Sequence, residues 1–405
     1  MKKNKQLITI VILAVLMVLV SACSSEEPVD LNLAGTYAAQ TLAAISSDTA
    51  TVMPSPAELP TVTPTETFTS TPTLFPTVGP VGPVDFPENV NPLTGLPVED
   101  PSILDRRPVF VKVANYPISG RPHAGLSSAD MVFEYYTGGG GNRFIGLYYG
   151  QDADMIGPVR SGRLVDPYIV SLYEGVLGMV SADPTVFGHI RNILDNRVIS
   201  DKTLCPGICD DGRNIVTSVF ANSEALTQIV ARRGVINQRY VLEGMAFDMN
   251  APDGGQEANQ IAIRFSQVNP NEWRYDQESG YYLRWIDNAE GQDIDLIPLV
   301  DRVNDQQLAF SNVVVLLANH DEITPTLHDI SLWDNYSGQR AVVFRDGQAY
   351  DLTWRTPSRT QPIQFIDSEG EAFRLKPGNT WVVIMGLYSG VTSVDGTWTF
   401  NFYMP

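Results

Sequence analysis

The strongest constraint on this chain is the alternation of short apolar runs with glycine- and proline-rich turns between Arg107 and Arg163. VFVKVA from Val109, MVFEYY from Met131 and FIGLYY from Phe144 have the length and the β-branched and aromatic content of strands. Pro117, Gly120, Pro122 and Gly125 crowd the first connection and predict a backbone held by turn geometry. The second connection, Gly138 to Gly141 followed by Asn142 and Arg143, lacks the Gly-Lys-Ser/Thr ending and the following helix of a phosphate loop. It therefore predicts a tight turn between neighbouring strands. Arg121, Glu134, Arg143, Arg160 and Arg163 fall at or near the ends of these runs, where a polar site can be built beside a sheet, and form the candidate ligand-binding set.

Four blocks in and beside this stretch carry a resemblance: NPLTG at Asn91, RPHAGLSSAD at Arg121, GGNRF at Gly140 and GPVRSGR at Gly157. They resemble the signature blocks of the YerB-like lipoproteins, the DUF3048 family. The resemblance runs from about Asn91 to the C-terminus and implies two successive domains and an exported lipoprotein. It implies no reaction, since the family is known chiefly as lipoproteins of unknown function. The family also commonly shows a histidine- and glycine-rich segment where this chain reads MVSADPTVFG, with its histidine displaced to His189. That departure weakens any catalytic role carried over to His189.

The beginning of the chain agrees with export. Lys2, Lys3 and Lys5 precede a short apolar core from Leu7 to Val20, and Val20-Ser21-Ala22-Cys23 reads as a lipobox. A core this short with small residues after it predicts a signal peptide, residues 1–22, and not a lasting membrane span. Cleavage before Cys23 would attach a diacylglycerol to its sulfur and commonly a further acyl chain, such as palmitate, to its amine. More than one chain gives durable anchoring. The competing reading is an ordinary secretory signal with an incidental cysteine. Residues 23–45 include a possible short helix, and residues 46–90 are rich in threonine and proline, which predicts an extended spacer.

The fold expected beyond the spacer is α+β: a mixed α/β-layer domain over residues 91–240, then a mainly antiparallel β domain over residues 241–405. Helix signals are confined to the first part. Asp166-Pro167 and Asp183-Pro184 each read as an N-cap followed by proline, and Asn222 or Ser223 caps a helix that ends in arginines. After Gly244 the pattern alternates with period two, including the aromatic hairpin WRYDQESGYYLRW and the turn Arg345-Asp346-Gly347-Gln348. The aromatic residues suit either a sugar platform or cross-strand packing, and period-two spacing favours packing.

Two function classes survive this reading. GPVRSGR places Arg160 and Arg163 three residues apart, on one side if the segment opens a helix. Guanidiniums brought together need an anion, either a protein carboxylate such as Glu134 or Asp166 or a ligand. An arginine-lined binding or scaffolding module on a lipid anchor is the leading class. A cell-wall hydrolase or transferase using Glu134, Asp183 or His189, with Arg143, Arg160 and Arg163 orienting an anionic wall fragment, is the alternative. Cys205 and Cys209, the only cysteines beyond Cys23, predict a loop disulfide in an oxidising compartment, with structural zinc as the rival.

No cofactor and no metal is assigned from the sequence. A formal net charge of −19 argues against nucleic acid as a partner. The expected partners are the lipid bilayer through Cys23, at the extracytoplasmic face of a bacterial membrane, and a cell-wall fragment or envelope protein.

Overall fold

A computed structural model describes residues 79–213, 215–288 and 295–405. The leader, Cys23 and the spacer as far as residue 78 lie outside the described residues. The ordered contacts begin before Asn91: Val81 exchanges both backbone hydrogen bonds with Phe247, and the Phe86 ring packs edge-on against that of Phe247. Proline-rich composition extends to these residues, which is why they read as spacer.

The three expected strands form as β1 (Val109–Ala114), β2 (Met131–Gly138) and β3 (Gly141–Tyr148). Two helices follow with a short strand between them, α1 (Asp166–Leu172), β4 (Val176–Gly178) and α2 (Pro184–Leu194). Strand β5 (Val198–Ile199) and helix α3 (Ser223–Arg232) complete this half. Asp183 and Asn222 cap α2 and α3 as expected, accepting from the amides of Thr185 and Ala225. Asp166 does not cap α1, because its carboxylate is taken up by Lys112 and the amide of Arg163.

The second half contains the aromatic hairpin with the strand before it, β6 (Gln260–Arg264), β7 (Pro270–Asp276) and β8 (Tyr281–Asp287). Further on come β9 (Asn312–Ala318), β10 (Gln339–Arg345), β11 (Gln348–Arg355), β12 (Gln364–Ile366) and β13 (Thr380–Gly386). A last hairpin joins β14 (Gly390–Val394) to β15 (Thr397–Asn401). Positive φ at Asp346 and Gly347 gives the turn between β10 and β11 the geometry that fits twisted strands.

The two halves share one sheet, ordered β12-β11-β10-β9-β13-β2-β3-β1-β4-β5. Strand β13 lies between β9 and β2 and is parallel to both, with Met131 opposite Thr380 and Tyr135 opposite Ile384. One face of this sheet is covered by α1 and α2, through Ile169, Val170, Val186 and Ile190. The other packs on the second sheet, formed by β6 to β8, β14 and β15 and shorter strands, and on α3. Trp273 and Tyr282 of the aromatic hairpin are fully buried in that interface, so these rings pack the core and present no sugar platform.

Candidate functional site

GPVRSGR is not the opening of a helix. It runs extended from the end of β1 to the stretch after β4: Ala114 donates to the Pro158 carbonyl, Arg160 to Lys112, Val180 to Arg160 and Gly162 to Ser181. Gly162 permits a close approach here, since a Cβ would stand 2.4 Å from the sulfur of Met179 and 2.6 Å from Ile190 and would force those side chains to shift. On its far side Val159 donates to Val219, within a short hairpin whose other strand contains Cys209, and Cys209 is disulfide-bonded to Cys205.

This segment brings Arg160 and Arg163 to the start of β3, where Arg143 meets them. Arg143 donates Nη1 to the Ser161 carbonyl at 2.8 Å, and Arg163 donates to the Gly162 carbonyl at 2.9 Å. Among the described residues the Arg160 side chain has no hydrogen-bond partner, and the Nε atoms of Arg160 and Arg163 are buried and unpaired. None of the three guanidiniums forms an ion pair with a carboxylate among the described residues. Burial, with repulsion from Arg163 next, pushes Arg143 down to about 10, and the same two causes lower Arg160.

Beneath the arginines lies a fully buried polar triad. Lys112 of β1 contacts the Tyr135 hydroxyl of β2 and the Asp166 carboxylate of α1, and the Tyr135 hydroxyl also donates to Asp166. The other carboxylate oxygen of Asp166 accepts from the Arg163 amide at 2.7 Å. Desolvation pushes Lys112 down to about 7; Asp166 opposes the shift, and Arg143 and Arg163 add to it. The cluster as a whole holds Lys112, Arg143, Arg160 and Arg163 against the one carboxylate of Asp166. No motif nominates Lys112 or Tyr135, and only Lys112 carries a local signal. The signal available is the lone charge in VFVKVA, on a strand too apolar to be exposed on either face.

Glu134 and Arg121 belong elsewhere. Tyr135 is directly opposite Arg143 in the ladder, so it shares that residue's face, and Glu134, one position away, points through the other side of the sheet. There Glu134 is fully buried, and each of its carboxylate oxygens accepts from Arg284 Nη2, at 2.8 and 2.9 Å. Asn142 and the indole nitrogen of Trp381, at 2.7 Å, complete its shell. Arg121 pairs with Asp287 of β8 and with the carbonyl and side chain of Asn115, joining the first half to the aromatic hairpin. The structure therefore places both away from the arginine cluster, Glu134 in the core between the sheets and Arg121, partly exposed, at the junction with the aromatic hairpin.

The three acid–base candidates of the hydrolase reading stand apart from one another. Glu134 is locked in the inter-sheet core, Asp183 is an exposed helix cap, and His189 stands against the Tyr168 ring at 5.2 Å on the outer helical layer. The glycine turn after β2 also serves the fold. The Gly140 carbonyl accepts from Ser266 and Asn269, and a Cβ at Gly138 would stand 2.4 Å from the Pro325 carbonyl.

Comparison with known proteins agrees with this architecture. The putative lipoprotein YerB of Bacillus subtilis (strain 168) is 25% identical over 312 residues, covering 73% of this chain and 85% of that protein. The crystal structure of YerB from Bacillus subtilis superposes with a TM-score of 0.59 at 22% identity, covering 73% of this chain and 96% of that one, a likeness of fold. The family described as protein of unknown function (DUF3048) matches with its N-terminal domain at residues 93–235 and its C-terminal domain at residues 261–382. The chain belongs to the DUF3048 family.

Proposed function

We propose that this protein is a lipid-anchored binding module of the bacterial envelope, and that the cluster of Arg143, Arg160 and Arg163 takes an anionic group of a cell-wall fragment or envelope partner. One observation carries the reading: three guanidiniums and the Lys112 amine stand around one carboxylate, that of Asp166, and among the described residues no other carboxylate pairs with any of them. Half-buried guanidiniums that repel one another are stabilised by an external carboxylate or phosphate, which planar bidentate donors suit. The cluster lies where β1 and β4, which are parallel, end and diverge around GPVRSGR, a usual place for a ligand beside a sheet. The lipobox at Cys23 and the similarity to a putative lipoprotein support the anchor. Among the described residues no helix is long and apolar enough to cross a membrane.

The binding reading is preferred to a hydrolase because Glu134, Asp183 and His189 occupy three separate parts of the fold. The test is co-sedimentation of the mature chain, carrying Cys23→Ser to keep it free of lipid, with purified anionic wall polymer while soluble fragments are assayed. Retention that is lost in Arg160→Ala, with no fragments released by either protein, is expected. Steady release of fragments by the unsubstituted chain would replace the module by an enzyme. The anchor is tested separately by labelling cells with palmitate. Label should appear in the parent protein and vanish in Cys23→Ser.

A further inference from the structure

The opposite end of the same sheet holds a cavity of about 930 Å³. It lies where the parallel strands β2, β9 and β13 begin, whereas Arg143 stands opposite Tyr135, further along β2. Its walls come from both halves and from motifs the arginine site does not use: NPLTG, the SSAD ending at Asp130, and KPGN from Lys376. These motifs are bound to one another. Gly378 donates to the Thr94 carbonyl, Thr380 to the Asp130 carbonyl, and the Asn91 side chain to the Asp130 carboxylate at 2.8 Å.

Three features point to a ligand and to its charge. First, Ser311 lines the cavity with only 1% of its surface exposed, yet its hydroxyl has no hydrogen-bond partner among the described residues. The space for that hydroxyl depends on Gly378, where φ is +136° and a Cβ would stand 1.9 Å away. Second, the wall is largely apolar, from Leu96, Val98, Ile103 and Ala129, and Met249 and Tyr281 remain exposed at its edge, 47% and 39%. Third, the charges that remain free are negative. Lys376 is held by Asp346 and the Gly280 carbonyl, and Asp152 by Arg106. Glu99 and Asp100 are exposed at the lining, whereas the buried Asp130 carboxyl, raised to about 6 by desolvation, is taken up by the Asn91 side chain and the amides of Tyr149 and Gly150.

We propose that this cavity is a second binding site, distinct from the arginine cluster, for a small organic cation: an apolar body carrying one ammonium group. The size is that of small-molecule sites, which bury an apolar body and orient it by a few polar groups. Leu96, Val98 and Ile103 take the body, the Ser311 hydroxyl offers a donor or an acceptor to a polar atom of the ligand, and Glu99 and Asp100 select the positive charge.

The probes are 4-phenylbutylammonium, 4-phenylbutanol and 4-phenylbutyrate, titrated by ligand-observed NMR into the mature chain carrying Cys23→Ser. The ammonium should bind saturably and about tenfold more tightly than the carboxylate, as expected for two solvent-exposed charge contacts. Glu99→Gln with Asp100→Asn should erase that preference and leave the alcohol bound. Both positions are exposed, and Asn preserves the acceptor that Asp100 offers the Ser102 amide. Val98→Trp should fill the cavity and weaken all three probes, and Arg160→Ala should change none. Absence of saturable binding by any probe, equal affinity for ammonium and carboxylate, or a preference that survives the double substitution overturns the proposal.

Discussion

Two regions of the central sheet each gather buried or half-buried guanidinium groups, and they treat the charge in opposite ways. On the face toward the second sheet, Arg284 is given a carboxylate, Glu134, and that carboxylate is given Asn142 and Trp381, so its accepting positions are filled. On the helical face, among the described residues, Arg143 and Arg163 are given backbone carbonyls only, and the Arg160 side chain not even that. The first arrangement is balanced in charge within one chain, though Arg284 keeps a buried Nε and Nη1 without a hydrogen bond, and it ties β2, β3, β8 and β13 together across the halves. The second is positively unbalanced. Removing a partner from a satisfied buried pair damages the fold, whereas removing a charge from an unbalanced cluster relieves repulsion, so the two regions can be told apart by mutation alone.

The largest effect is expected at the satisfied site. Glu134→Ala strands Arg284 without a counter-ion in the inter-sheet core and should cost about 3–5 kcal/mol, read as a lowered denaturant midpoint. Stability close to that of the parent would mean that the inter-sheet pair is not the structural tie described. Second in size is the disulfide. Cys205→Ser with Cys209→Ser removes a brace from the hairpin that holds Val159, and the loop it closes is short, so the loss should be no more than about 2 kcal/mol. Mass spectrometry without reductant should show the parent peptide two hydrogens lighter than its reduced form.

The pH dependence comes next, with Lys112 as its source. Tyr135 from β2, Arg143 from β3, Asp166 from α1 and Arg163 surround this amine. Its folded value is depressed to about 7, so above that pH the unfolded chain holds a proton that the folded chain has released. Stability linked to Lys112 is thus fully present above the ordinary lysine range and is lost as pH falls through 7. Unfolding free energy should rise between pH 7 and pH 9 by on the order of 1 kcal/mol, and a flat or falling profile would show that the amine stays charged. The smallest effect on stability is expected at Arg160→Ala, within about 0.5 kcal/mol of the parent by chemical denaturation. A loss comparable to that of Glu134→Ala would erase the distinction between the two regions.

Much of this architecture was legible in the residues. Apolar runs punctuated by glycine and proline mark β1 to β3, the Asp-Pro and Asn-Ser signals mark α2 and α3, and Asp-Gly marks the turn after β10, because each depends on local chemistry. Glu134 was misplaced because a strand residue's face is decided by register. The register here runs through an irregularity between Tyr136 and Gly138 at the hairpin end. Its true partner, Arg284, lies 150 residues away, and no local pattern connects them. The arginines of GPVRSGR do approach one another, but along an extended segment instead of a helix, and the buried triad below them depends on the packing of α1 against β1 and β2.

The central claim is that the arginine cluster is completed by an anion from outside the chain. Calorimetric titration of inorganic pyrophosphate into the mature Cys23→Ser chain, with Arg160→Ala alongside, tests it most directly. Charge-assisted contacts of this kind contribute roughly 1.5–3 kcal/mol, so binding at one site per chain should weaken at least about tenfold in the variant while its fold is retained. Equal affinity in the two proteins, or no saturable heat in either, would contradict the account.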